Sequence, residues 1–179
     1  MQIVDTANGY FVGIDPGITG GICVLSRAGA LVVLERFNGS TPADVMRNIF
    51  GGLGYTEIFV ALESVHARPG QGVCSMFTFG MGYGRIQGFL DAHLVDYKLY
   101  TPQAWQRFLP QAATPKDRVR AWAARKFDLT SFIFEGCRVP HQGCMDAAGI
   151  AEYHRCIKLE LLSAPKDKKR KKKLPEVRF

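Results

Sequence analysis

The sequence predicts an α/β fold with a mixed sheet, on three observations. Three short apolar runs fill the first 36 residues, and a tight turn signal joins the last two. From residue 41 onward, helical and strand patterns alternate. Thr-Pro pairs at 41–42, 101–102 and 114–115 mark helix starts between the strands, and together these features indicate an α/β sheet with a mixed edge.

The first three strands fall at about 10–15, 21–27 and 30–36, with "SRAGA" at 26–30 as the turn of a hairpin. Thr41-Pro42 is an N-cap followed by proline in the first turn, so a helix opens there and runs to about 50, where "GGLGY" breaks it. "EIFVALE", 57–63, is a buried strand that ends in an acid. Residues 72–92 read as a helix despite Gly80, Gly82, Gly84 and Gly88. "VDYKLY", 95–100, is the fifth strand. "TPQAWQRFL" and "TPKDRVRAWAARKF" begin helices at Thr-Pro, and 144–162 is an amphipathic helix.

The chain of 179 residues is long enough for one domain with a sizeable core. Residues 1–164 read as that domain. Residues 165–179 hold eight Lys/Arg against two acids, which is +6 of the net +7. This run has nothing to bury and reads as a disordered tail. It serves either as a solubilising end or, through Lys168, Lys169 and Arg170, as a contact to the phosphate backbone. No apolar stretch approaches a membrane span, and the N-terminus lacks a signal peptide's basic region. The five cysteines are odd in number and form no C-x-x-C, so they read as free thiols in a reducing cytoplasm.

Three acids stand where a core protein has little use for them. Asp15 ends the first strand, Glu63 ends the fourth, and Asp146 lies near the start of the last helix among Ala147, Ala148 and Gly149. Each alone reads equally as a turn, loop or helix-end residue. Converging at one sheet edge, where α/β proteins build their sites, they require positive compensation, and hard divalent cations such as Mg²⁺ supply it.

"GIDPGITGGICVL", "ALESVHARPGQGVCSMFTFGMGYGRIQGFL", "TPQAWQ" and "PHQGCMDAAGIAEY", in that order, resemble the RuvC family of Holliday-junction resolvases, and within it the phage-type branch. The resemblance spans about residues 10 to 155. It implies a ribonuclease-H-like mixed five-stranded sheet flanked by helices. It further implies a homodimer, built here around the 72–92 helix, in the cytoplasm of a bacterial or phage-infected cell. The implied activity is structure-selective: paired nicks in four-way and other branched DNA, made with two Mg²⁺ ions per site for which Mn²⁺ substitutes. Asp15, Glu63 and Asp146 match three of the family's acidic metal ligands. The family's fourth ligand falls at Gly143, a departure, and His141 is the nearest substitute as ligand or base. The expected DNA contacts are Phe77 as a wedge, Arg68, Gln71, Arg85 and Lys116. Gln103, Gln106 or Arg107 stand where a further lysine is missing.

Two other readings remain. A junction-binding protein with little cleavage of its own accommodates Gly143. "GIDPGITGGICVL" is also similar to the first phosphate motif of actin-like ATPases and sugar kinases, which need a second such domain.

Overall fold

In a computed structural model, the chain is described over residues 9–37, 41–53, 57–66, 70 and 72–161. The elements are strands β1 (Tyr10–Asp15), β2 (Gly21–Ser26) and β3 (Leu31–Arg36), helix α1 (Pro42–Leu53), strand β4 (Ile58–Glu63) and helix α2 (Val73–Ala92). Strand β5 (Tyr97–Tyr100), helices α3 (Pro102–Gln106) and α4 (Pro115–Lys126), a 3-10 turn (Leu129–Phe132) and helix α5 (Gln142–Lys158) complete them. The basic tail lies outside the described residues.

The five strands form one sheet in the order β3-β2-β1-β4-β5. β1, β2 and β3 pair antiparallel, whereas β4 and β5 join parallel. The sheet is therefore mixed, as the sequence predicts. Helices cover both faces. Tyr10, Val12 and Ile14 of β1 pack with Val60 and Leu62 of β4 toward α1 and α2. Phe11 and Ala61 point the other way, into a core with Trp105, Phe132 and the apolar residues of α5. Alternation along each strand decides which residues meet which layer.

Three boundaries differ from the sequence reading. Gly51 and Gly52 lie inside α1 and do not end it. β5 begins at Tyr97, two residues late. Leu94 takes a left-handed conformation (φ 53°), and the Val95 N–H bonds back to the Leu90 carbonyl at 2.9 Å, closing α2. α5 begins two residues early because His141 caps it: His141 Nδ1 accepts the Cys144 N–H at 3.3 Å. The Thr-Pro helix starts hold, with Thr101 and Thr114 each accepting a backbone N–H of the first turn.

α5 lies directly on β1. Gly13 makes this possible, since a Cβ there would come within 2.9 Å of the Ala151 Cα. Under the helix, Glu152 binds Lys126 of α4 and Arg155, both at 2.7 Å. Arg155 also donates to the Arg27 carbonyl in the β2–β3 turn at 2.9 Å. The last helix is thus locked to its neighbours on both sides, and its first turn is held at the carboxyl ends of β1 and β4. All five cysteines are free. No described helix is long and apolar enough to cross a membrane.

Candidate active site at the carboxyl edge of the sheet

Strand alternation puts Asp15 on the same face as Phe11 and Gly13, and Glu63 on the same face as Phe59 and Ala61. Both acids therefore belong to the α5 side. Because Ile14 is paired with Leu62 in the parallel register, the two strands deliver their final acids side by side. Asp146 meets them from α5, and its ionisation feels both Asp15 and Glu63. The three carboxylates predicted from sequence are brought to one place.

Each is held by a neutral donor. The Gly17 N–H donates to Asp15 Oδ1 at 3.1 Å, Trp105 Nε1–H to Glu63 Oε1 at 2.9 Å, and Gln142 Nε2 to Asp146 Oδ1 at 3.0 Å. None of these donors cancels a charge. Burial, opposed by the Gly17 N–H, pushes the Asp15 carboxyl up to about 6. Burial and the Asp15 charge push Asp146 up to about 7, against the pull of Gln142 and the more distant Lys116. Among the described residues, no group of three or more His, Cys, Asp and Glu side chains is already arranged to hold a metal ion. The donor set still fits a hard divalent cation. It holds hard carboxylate oxygens, two of them on acids whose ionisation burial opposes.

Gly143 has a steric cause. A Cβ at this position would lie within 2.7 Å of the Gly20 Cα and 2.9 Å of Asp15 Oδ2. The β1–β2 loop and the start of α5 close on each other, leaving no room for a carboxylate. The same geometry shows that position 143 borders Asp15. His141 has a local role, since its Nδ1 is taken by the helix cap and its ring stands edge-on to Phe134, with centroids 5.7 Å apart. Burial, with a smaller contribution from Arg36, lowers its basicity. Only Nε2 is left for ligation or proton transfer.

Of the expected DNA contacts, Arg85 lines a groove with Pro16 and Gly17, beside Asp15. Lys116 is close enough to act on Asp146. Gln103 lines a second groove, with Ser64 and Val65, beside Glu63. Phe77 is 68% exposed and lines neither groove. Phe79, two residues on and so roughly 200° round the helix, lines both. Arg68, Gln71, Lys168, Lys169 and Arg170 lie outside the described residues. Sequence reasoning missed two residues that hold the acids. Gln142 carried a usable signal, lying four residues before Asp146 on the same helical face. Trp105 carried none, because its partner Glu63 is 42 residues away.

No protein-family model matches the chain, and no curated protein matches it in sequence. Solved structures do. RuvC of Thermus thermophilus in complex with a Holliday junction substrate superposes with a TM-score of 0.57 at 19% identity, covering 85% of this chain and 96% of that one. A second Thermus thermophilus RuvC structure gives 0.53 at 18% identity, over 84% and 96%. The match spans nearly the whole of the other protein. The chain has the ribonuclease-H-like fold of RuvC.

Proposed function

We propose that this chain is a divalent-metal-dependent, structure-selective endodeoxyribonuclease that resolves four-way and other branched DNA junctions by paired nicks. The observation that carries the reading is the convergence of Asp15, Glu63 and Asp146, from β1, β4 and α5, on one side of the sheet edge in a RuvC fold. These three carboxylates would hold two Mg²⁺ ions, with His141 Nε2 as a further ligand or base. When bound, the ions supply the Lewis acidity that activates a water and stabilises the leaving 3′ oxygen. Trp105 and Gln142 fix the rotamers of Glu63 and Asp146, so the ligand oxygens are set before DNA arrives. The water oxygen bonds to phosphorus as the P–O3′ bond breaks, leaving a 5′-phosphate and a 3′-hydroxyl.

Two opposed nicks need two sites at a fixed separation, which a two-fold homodimer provides. α2 supports this arrangement. Its inner face packs Ile86, Phe89 and Leu90 into the core. Its outer face carries Val73, Phe77 and Met81 at 77%, 68% and 42% exposure, with Gly80, Gly84 and Gly88 open beside them. A helix apolar on two opposite faces has a partner for each, and a second copy of α2 fits the outer one. The basic tail would add sequence-blind backbone contacts.

The test is cleavage of a synthetic four-way junction with Mg²⁺ or Mn²⁺, against duplex, flap and Y-form controls. Metal-dependent symmetric nicking is expected, lost in Glu63→Gln while junction binding persists. Binding without cleavage under every metal condition would favour the junction-binding reading that Gly143 allows. Failure to bind branched DNA at all would overturn both.

A further inference from the structure

The carboxyl edge of the sheet carries a cation that no sequence motif marks. Asp15 pairs with Gly21, and Gly21 with Arg36, so the three residues form one row across β1, β2 and β3. Residues in such a row share a face, which puts Arg36 on the α5 side with the acids. Two strand spacings, roughly 10 Å, separate its backbone from that of Asp15. Gly21 between them leaves the space for the first turn of α5, since a Cβ there would come within 2.7 Å of Cys144 Sγ. Asp15 and Arg36 therefore flank that turn from its two sides.

The Arg36 guanidinium is held in place. Its Cζ lies over the Phe134 ring, 5.1 Å from the centroid, and its Nη1 donates to Cys137 Sγ at 3.1 Å. The His141 ring stands edge-on to the same Phe134. A thiol sulfur is a weak acceptor, and it occupies one of the five N–H groups of the guanidinium. Among the described residues, no carboxylate forms an ion pair with Arg36. Glu35, its neighbour in the strand, turns to the opposite face. A half-buried arginine ordered on an aromatic ring presents a rigid fork of donors, and that fork matches the oxygens of a phosphate.

We propose that Arg36 clamps a backbone phosphate of the strand being cut, two or three nucleotides from the scissile bond on the β3 side. The inference rests on the nuclease reading above and deepens it. The separation follows from roughly 10 Å of sheet at about 3.4 Å of rise per nucleotide. Arg85 lines the groove with Pro16 and Gly17 on the α2 side of the same strand end. The acids then stand between two guanidinium groups. Phosphate contacts fix the register of a strand without reading its bases, so Arg36 binds substrate and is blind to sequence.

The test is binding of the full chain to a synthetic four-way junction in EDTA, with one phosphate at a time replaced by an uncharged methylphosphonate. The cut is mapped first, with Mg²⁺ or Mn²⁺ on the unmodified junction. Wild type is expected to lose on the order of tenfold in affinity at one position two or three nucleotides from the cut, the size of one charge-assisted contact. Arg36→Gln is expected to bind the unmodified junction on the order of tenfold more weakly and to be indifferent to methylphosphonate at that position, with the wild-type losses kept elsewhere. Each protein is compared with itself, so a variant weakened only by a disturbed fold would still lose affinity there. A second measurement needs no variant: bound junction should slow alkylation of Cys137 several-fold, because the phosphate would lie on its Arg36 partner. An Arg36→Gln profile that matches wild type, a wild-type profile with no sensitive position at that separation, or Cys137 alkylation unchanged by bound junction would each overturn the clamp. If wild type cuts no branched DNA with either metal, the nuclease reading falls and the clamp with it, a result distinct from those three.

Discussion

Replacing Asp146 with asparagine should stabilise the metal-free protein at pH 8 while destroying its function. The folded state raises the Asp146 carboxyl from 3.8 to about 7, chiefly through burial and the Asp15 charge. The unfolded chain releases this proton near pH 4. Between pH 4 and 7 the folded state therefore holds a proton that the unfolded state has lost. Stability of the wild type falls as pH rises through this window and levels off above it. A shift of about three units corresponds to about 4 kcal/mol. Asp15 shares the same repulsion, so about half, roughly 2 kcal/mol, is the expected gain when one charge of the pair is removed. Asparagine has the same shape, and its Oδ1 still accepts the Gln142 amide. For a chain of this length, about 2 kcal/mol moves the melting temperature by roughly 4–8 °C. Thermal unfolding in EDTA at pH 8 should show Asp146→Asn melting higher by that amount, with the gap closing by pH 4.5. Excess Mg²⁺ at pH 8 should raise the wild type more than the variant. A variant that melts lower than wild type at pH 8 in EDTA, or a gap independent of pH, would refute the crowding of these acids.

Phe77→Glu, placed in the exposed stripe of α2, should convert a dimer to a monomer by sedimentation and abolish paired nicking; an unchanged sedimentation coefficient would remove α2 from the interface. Deleting 165–179 should weaken binding to junction and duplex alike and flatten the salt dependence, the slope of log K against log salt losing about 0.9 for each phosphate contact removed. A deletion that changes junction preference and leaves duplex affinity intact would contradict this. His141→Asn preserves an N-cap acceptor but no base, so it should melt close to wild type and cut on the order of a hundredfold more slowly in single-turnover assays. His141→Ala should add about 1 kcal/mol of destabilisation from the lost cap. A normal rate for the asparagine variant would confine His141 to capping.

The acids could be read because each interrupts a pattern. Asp15 and Glu63 end apolar strands, and Asp146 sits among small residues, so periodicity alone made them conspicuous. The Thr-Pro helix starts were legible for a similar reason, since the capping hydroxyl and its partner N–H lie three residues apart. What was not legible depends on distant contacts. Gly143 looked like a lost ligand, whereas it is the surface on which the β1–β2 loop rests. Nothing in the sequence sets Trp105 apart, and only the fold brings it to Glu63. The two phenylalanines of "FTF" are indistinguishable as letters, and the helical turn between them sends one to the grooves and the other outward. Gly51 and Gly52 misled in the opposite direction, because propensity is a local preference that the packing of Met46, Ile49 and Leu53 against the sheet overrides.

The seat of α5 on β1 has a consequence for synthesis. Phe11 and Gly13 are made long before their cover, since β1 comes first and α5 last in the order of the described elements. Until residues 142–158 are made, one face of the nascent sheet stands bare, with Phe11, Leu25 and Ala61 turned to water. That face is exposed to aggregation between the synthesis of β1 and that of α5, and chaperone demand should track this interval. The same ordering is protective. A site that needs Asp146 beside Asp15 cannot assemble before α5 is made, so products that stop short of it would lack the proposed cutting activity.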